Sequence, residues 1–462
     1  MADQVIVAFQ ADDDGGVDEL SWGQQSIWSS MTAAGSSLPV GDAVAVPPGV
    51  TVAASVAVLR YVMNRHQSLR TRVALDPDGV VRQRVATSGT VPMEVVDAGG
   101  ADPADVAKEI LDRYYEVPFD YLTEWPIRMA AVCVGEWVTH IVTVYCHIAL
   151  DVHGVDALVK DLASMDPATG LPIAPVAGLP PLEQVRMQRL PAARRHSDAA
   201  VRYAERLLRD VPTRRYNEST DPRTPRWQQI GFDSPAAYLA GRAVAARNSV
   251  HTTPVLLAAF AVAFSEVTRI HPAVAQLVVN NRFRPGLALA VAPISEACLG
   301  VIEVEDSTFD QVVGRAWQAS TRAGKHSYYD PHQMDEMLAR VSSQRGEDID
   351  IDCYFNDRRR THLMTPPQDR PPTADELAAA KARGAVRWDE PMELYDHTLF
   401  FHINDVPDTF DLLMCADTHR LSPAEMEAMV RRMEDVLVNA ALDPNAPVSV
   451  GSLSPKAASV EY

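Results

Sequence analysis

Cysteine is scarce in this chain. There are five in 462 residues (Cys133, Cys146, Cys298, Cys353 and Cys415), and no two stand as a Cys-x-x-Cys pair. The odd count and wide scatter argue against a disulfide framework and against zinc-finger spacing; a reducing, cytoplasmic home is the expectation. Long apolar runs are missing as well. The best candidate, Val255 to Phe264, is Ala-rich and too short to cross a bilayer. Met1 to Gln10 has no basic stretch ahead of an apolar one, so no secretory leader is expected. Positive charge is the minority: 42 Lys and Arg against 61 Asp and Glu leave a net charge of −19. Nucleic acid and anionic membrane surfaces are disfavoured as partners by that balance. A phosphate-binding loop is also absent. Gly324-Lys325 comes nearest, but Ala319 stands where the first Gly belongs and His326 where Ser or Thr belongs.

What is present reads as a globular chain, 47% hydrophobic and 22% charged, whose length suits two domains. Strand and helix patterns alternate. Leu20 to Met31 and Val52 to Arg65 have amphipathic helical spacing, while Val80 to Val85, Met129 to Val134 and Thr139 to Tyr145 read as strands. A Pro/Gly/Ala stretch from Ser164 to Pro181 reads as a linker or crossover, followed by one polar helix over Leu182 to Leu208. Beyond it, helices are expected over Thr253 to Thr268 and Phe309 to Ala323, and strands over Gln276 to Asn280, Asp350 to Phe355 and Thr398 to Ile403. A last helix runs from Ser422 to Leu442, with Ser422 and Glu425 in capping-box spacing. Two α/β halves, 1–175 and 176–462, predict a cleft between them.

The most informative run is Val144-Tyr145-Cys146-His147-Ile148-Ala149-Leu150-Asp151-Val152-His153-Gly154, after which apolar residues recur at helical spacing through Leu162. A buried strand delivers a His to a turn, and a helix follows. Imidazole is the side chain best suited to proton transfer near neutral pH. Strand alternation would turn Cys146 away from His147, which argues against a Cys–His nucleophile pair. Asp151, charged and near a buried turn, needs a cation. His140, His147, Asp151 and His153 meet no recognised metal spacing, so no metal is expected. Arg65, His66 and Arg70 are read as structural, and Trp22 and Trp28 as packing residues. Arg194-Arg195 or Arg358-Arg359-Arg360 could form a basic docking patch, although solvated surface charge is the plainer reading.

Five segments, in order, resemble the condensation domains of nonribosomal peptide synthetases and their free-standing relatives. They are Ser21-Trp22-Gly23-Gln24-Gln25-Ser26-Ile27-Trp28; Arg65-His66-Gln67-Ser68-Leu69-Arg70-Thr71; Pro118-Phe119-Asp120 with Trp125-Pro126-Ile127-Arg128; Cys146 to Val152; and Asn281-Arg282. The resemblance implies a mixed α/β (α+β) fold of two chloramphenicol acetyltransferase-like lobes forming a V around a central cleft. It implies His147 as the catalytic residue, with Asp151, Arg282 and Cys146 supporting the site and Val152, His153 and Gly154 near the oxyanion or lining the tunnel. Cys146 replaces the first His of the family's His-His-x-x-x-Asp-Gly pattern, Val152 replaces its Gly, and Gln67 stands where Glu is usual. Val152 forbids the positive φ a Gly would allow, and Gly154 is expected to take over the turn. The segment Val291 to Cys298 lacks the family's Asn-Thr pair, which implies a specialised tunnel.

The implied reaction is acyl transfer from a thioester, on an acyl or peptidyl carrier protein's phosphopantetheine or on coenzyme A, to a small-molecule amine or alcohol. No bound cofactor is implied. No carrier attachment signature (Gly-Gly-x-Ser) occurs, so the donor would be met in trans. A catalytically inactive platform that recruits partner enzymes is the alternative. A cyclising relative would carry an Asp-rich central motif, against which His147 argues.

Overall fold

The computed structural model describes residues 2–76, 79–359 and 370–448. The chain divides into two compact units. The first holds Met1–Arg195 and Asn280–Glu296, the second His196–Val279 and Ala297–Tyr462. The division expected at 175 thus falls twenty residues later in sequence, and 280–296 join the first unit. The Pro-rich stretch is pinned there: Ala174 O accepts from Arg65 Nη1 at 3.0 Å, Ile173 N–H donates to Ser164 O and Leu179 N–H to Gly286 O. Proline and glycine in sequence mark irregular backbone, but not what that backbone bonds to.

The first unit runs β1 (Ala2–Gln10), β2 (Gly16–Glu19), α1 (Trp22–Ala34), β3 (Val40–Ala45), α2 (Val52–Arg65), β4 (Thr71–Leu75), β5 (Val81–Val85), β6 (Ser88–Asp97), α3 (Pro103–Glu116), β7 (Ile127–Val134), β8 (Trp137–Tyr145), α4 (Val152–Asp161) and α5 (Pro181–Gln188). Its sheets are β1-β6-β7-β8-β3 and β2-β5-β4. β7 is buried on both faces. Met129, Ala131 and Cys133 pack with Leu59, Val62 and Met63 of α2, while Ala130 and Val132 pack with Ile110 and Tyr114 of α3. That is why it reads as an unbroken apolar run rather than an alternating one. The segment Leu182 to Leu208 is two helices, α5 and α6 (Pro191–Asp210). Pro191 has no N–H to extend α5 but is tolerated in the first turn of α6.

The second unit continues with β9 (Trp227–Ser234), α7 (Pro235–Asn248), α8 (Thr252–Thr268), β10 (Ala273–Val279), β11 (Glu296–Ile302), α9 (Phe309–His326), α10 (Pro331–Arg345), β12 (Cys353–Asp357), α11 (Ala374–Lys381), β13 (Ala385–Trp388), β14 (Leu399–Asn404), β15 (Phe410–Asp417) and α12 (Pro423–Leu442). The sheet order is β11-β10-β12-β14-β15-β9-β13. α8 is apolar all round and packs its Phe260 against Phe355 of β12 and Phe401 of β14. α12 carries the expected capping box at Ser422 and Glu425. No single helix among the described residues is long and apolar enough to cross a membrane. α7 and α8 together reach that composition, but they are bent by 113° and α8 is buried core.

Candidate active site

β8 ends at Tyr145, and His147 to Ala149 form a turn before α4. The backbone there is tightly held: Cys146 N–H donates to Pro126 O (3.2 Å), His147 N–H to Ser37 O (3.2 Å), and Ala149 N–H back to Cys146 O (2.9 Å). Because the strand stops one residue early, alternation does not govern Cys146 and His147. Burial separates their roles instead. Cys146 is fully buried in the apolar cluster under β8, its Sγ donates to Ser37 O at 3.7 Å, and burial pushes its thiol up to about 11. A thiol so far from ionisation is no nucleophile at neutral pH.

His147 is half-buried. Its Nδ1 lies 3.0 Å from Leu150 O. A carbonyl can only accept, so Nδ1 carries the proton and Nε2 keeps its lone pair as a base. Asp151 caps α4: its carboxylate takes the Gly154 N–H at 2.7 Å. The same buried carboxylate accepts from Arg282 Nη2 (2.6 Å), Ile294 N–H (3.1 Å), Ser295 N–H (3.0 Å) and Ser295 Oγ (2.8 Å). Burial works against its charge, but Arg282 and these donors outweigh it and hold the carboxyl below the ordinary aspartate value. Arg282 is fixed in turn by the carbonyls of Ala290 (2.7 Å) and Ala292 (3.3 Å). Asn281, at φ +55 and fully buried, sets the bend ahead of it.

The residues flagged downstream of Asp151 sit differently from expectation. Val152 is the first residue of α4 and has ordinary helical backbone, 37% exposed, so no positive φ is required there. Gly154 does not form a turn. It lies inside α4, where a Cβ would come within 2.8 Å of Leu150 Cβ and 3.3 Å of Ala292 O, so it is needed for close packing. His153 Nδ1 is 3.6 Å from Asp156 Oδ2. As opening residues of α4, Val152 and His153 have N–H groups with no carbonyl in their own helix to bond. Among the described residues, no three His, Cys, Asp or Glu side chains come together as metal ligands.

Sequence reasoning missed Ile294 and Ser295 as partners of Asp151. Two of their three contacts come from backbone N–H groups, which every non-proline residue has. Next to them, Glu296 is buried and, among the described residues, bonded through both oxygens to Ser26 Oγ of α1 alone (2.9 and 2.8 Å). Burial pushes its carboxyl up to about 8, with the Ser26 bond opposing. The folded protein therefore keeps a proton that the unfolded chain releases above the ordinary value of 4.5. Stability should fall as pH rises from about 4.5 to about 8 and then level off, by roughly 5 kcal/mol across the window. Urea unfolding of Glu296→Gln should show this slope removed and the variant more stable than wild type at pH 9; an unchanged slope would contradict the assignment.

Elsewhere the placements are structural. Arg65 grips Asp161 through two bonds of 2.8 Å, with His66 Nε2 at 3.1 Å. Arg70, fully buried, bonds Asp13 and Ala86 O. Trp22 is buried, and Trp28 packs edge-on against Tyr121. Of the two Arg runs, Arg194 lies over the Trp22 ring, Arg359 is buried and paired with Asp357, and Arg360 lies outside the described residues.

The candidate site thus consists of one half-buried imidazole on a turn followed by an Asp–Arg pair, in a mixed α/β fold. No family model matches the chain. It is 27% identical over 270 residues (56% of the chain) to the nonribosomal peptide synthetase kk1B of Curvularia clavata. It is 28% identical over 280 residues (58% of the chain) to the cyclosporin synthetase simA of Tolypocladium inflatum. The match spans only 2% of each synthetase's length. Among solved structures it is similar to SgcC5 of Streptomyces globisporus (TM-score 0.70, 16% identity, 93% of this chain and 100% of that one). It is also similar to the condensation domain of the polyketide synthase MokA (TM-score 0.71, 14%, 95% and 100%). A third similarity is to the teicoplanin X-domain in complex with OxyB (TM-score 0.69, 18%, 93% and 94%). The sequence matches are thus to nonribosomal peptide synthetases, and the fold is that of solved condensation domains.

Proposed function

We propose that the chain is a condensation-type acyltransferase of natural-product biosynthesis. It would join an acyl or aminoacyl thioester, carried on phosphopantetheine of a carrier protein or on coenzyme A, to an amine or alcohol acceptor. The observation that carries this reading is the orientation of His147: Nδ1 is committed to Leu150 O, which leaves Nε2 as the acceptor of a proton. In the reaction, Nε2 takes the proton of the attacking N–H or O–H as that atom bonds to the thioester carbonyl carbon. The carbonyl oxygen gains negative charge, for which the N–H groups opening α4, which have no carbonyl in their own helix to bond, are the nearest donors in sequence. The C–S bond then breaks, the thiolate leaves with the proton from His147, and an amide or ester remains. The free energy of the thioester drives the step without ATP.

The similarity to the X-domain–OxyB complex keeps a recruiting platform as the second reading. His147 favours the enzyme. Purified protein mixed with acyl-pantetheine and acyl-coenzyme A thioesters and a panel of amines and alcohols should give a condensed product by mass spectrometry. No turnover with any acceptor, together with a stable complex with a partner enzyme, would replace the transferase by the platform.

A further inference from the structure

In the second unit, β12 and β14 turn alternate residues to the core: Phe355, Phe401 and Ile403 are buried there. Tyr354, Phe400, His402 and Asn404 take the opposite parity, with Tyr354 beside Phe400 and Asn356 beside His402 in the register. All of these are half-buried. Phe400 stacks on His402 (4.3 Å, 25°) and meets Tyr354 at 5.0 Å, and Tyr354 meets His397 at 4.2 Å. Arg358 follows β12 directly, and its backbone N–H is bonded to Ile403 O (3.0 Å).

The state of this arginine is unusual. Its Nη2 donates to the neutral Asn404 amide oxygen. Its Nε is sealed from solvent without a partner, as is His402 Nδ1. Among the described residues no carboxylate is ion-paired with it, whereas its neighbour Arg359 holds Asp357 through two bonds. Asp411, whose charge reaches Arg358, is already bound by Arg387 (2.7 Å) and Asn404 Nδ2 (2.7 Å). A guanidinium does not discharge in a protein, so a desolvated one lacking an anion is costly. Burial, then the charge of Arg358, then His397 hold His402 well below the ordinary histidine value, hence neutral.

We propose that this face of the second unit is a binding site for a small carboxylate with a flat apolar body, the guanidinium of Arg358 taking the carboxylate and the rings of Phe400 and Tyr354 the body. A fork of N–H donors matches a carboxylate, and half-buried rings take flat apolar groups. A single cation with neutral His402 beside it, and with Asp352 and Asp396 both on His397 (3.0 and 3.3 Å), suits a monoanion better than a phosphate dianion. The proposal goes beyond acyl transfer and does not rest on it.

Isothermal titration of the full chain with phenylacetate, phenylacetamide and inorganic phosphate tests it. Phenylacetate should bind wild type with a dissociation constant on the order of 1 mM, and phenylacetamide at least about tenfold more weakly. Arg358→Gln and Arg358→Lys, each checked for folding by circular dichroism, should both lose about tenfold in phenylacetate affinity, because Lys lacks the fork. Equal binding of acid and amide by wild type would overturn the proposal even if the variants fail to fold. Undiminished phenylacetate binding by folded Arg358→Gln would overturn it too, and phosphate binding tighter than phenylacetate would overturn the carboxylate assignment.

Discussion

Replacing His147 by alanine should lower kcat/KM for thioester-to-acceptor transfer by roughly 10²–10⁴-fold, the span a positioned general base contributes. The structural loss should be small. His147 is half-buried, and its side-chain hydrogen bond to Leu150 O carries a net stability of about 1 kcal/mol. The turn itself is held by backbone bonds from Cys146, His147 and Ala149, which an alanine retains. A melting temperature within a few degrees of wild type alongside a collapsed rate is the expected pair of results. Unchanged turnover in a folded His147→Ala protein would remove the imidazole from the chemistry. Loss of both activity and fold would make His147 a structural residue.

The strand–His–turn–helix unit was legible because both flanking elements carry strong periodic signals. β8 is rich in Val and Ile, and α4 repeats its apolar residues at helical spacing. Arg282 as the partner of Asp151 came through the family resemblance; nothing in the spacing of 131 residues announces it. Ile294 and Ser295 were invisible as ligands because two of their contacts are backbone donors. β1 escaped notice for another reason. Val7 and Phe9 turn inward, but Ile6, 60% exposed, is apolar on the outward face and blurs the alternation. The break at Pro191 was legible and was passed over, since the polar pattern continues through it. Arg358 and Arg359 were read as a charged surface run. Pairing, which among the described residues gives Arg359 a carboxylate and Arg358 an amide, is decided by tertiary neighbours such as Asp357 and Asn404 that composition does not reveal.

Asp151→Ala should be the most destabilising single change at the site, by about 3–5 kcal/mol. Several losses coincide. Arg282 keeps its charge in a buried setting, with the carbonyls of Leu287, Ala290 and Ala292 but no carboxylate from Asp151 to face. Ile294 N–H, Ser295 N–H and Ser295 Oγ lose their acceptor. Gly154 N–H loses the side-chain cap of α4, itself worth about 1 kcal/mol. Activity should fall with stability, because the brace acts on the loop that carries His147 and is not assigned a proton. Asp151→Asn retains an acceptor oxygen for part of this set, so it should be damaged less. Since the Asp151 carboxyl lies below the ordinary value of 3.8, its contribution is complete above that pH and is lost only as acid titrates through the lower folded value; near neutrality its effect should not vary with pH. In a double-mutant cycle with Arg282→Met, the pair should cost clearly less than the sum of the single changes, because removing Asp151 no longer strands a cation. Chemical denaturation of the four proteins measures this directly. Full stability of Asp151→Ala with activity abolished would instead place the carboxylate in the chemistry itself, and additive effects in the cycle would dissolve the brace.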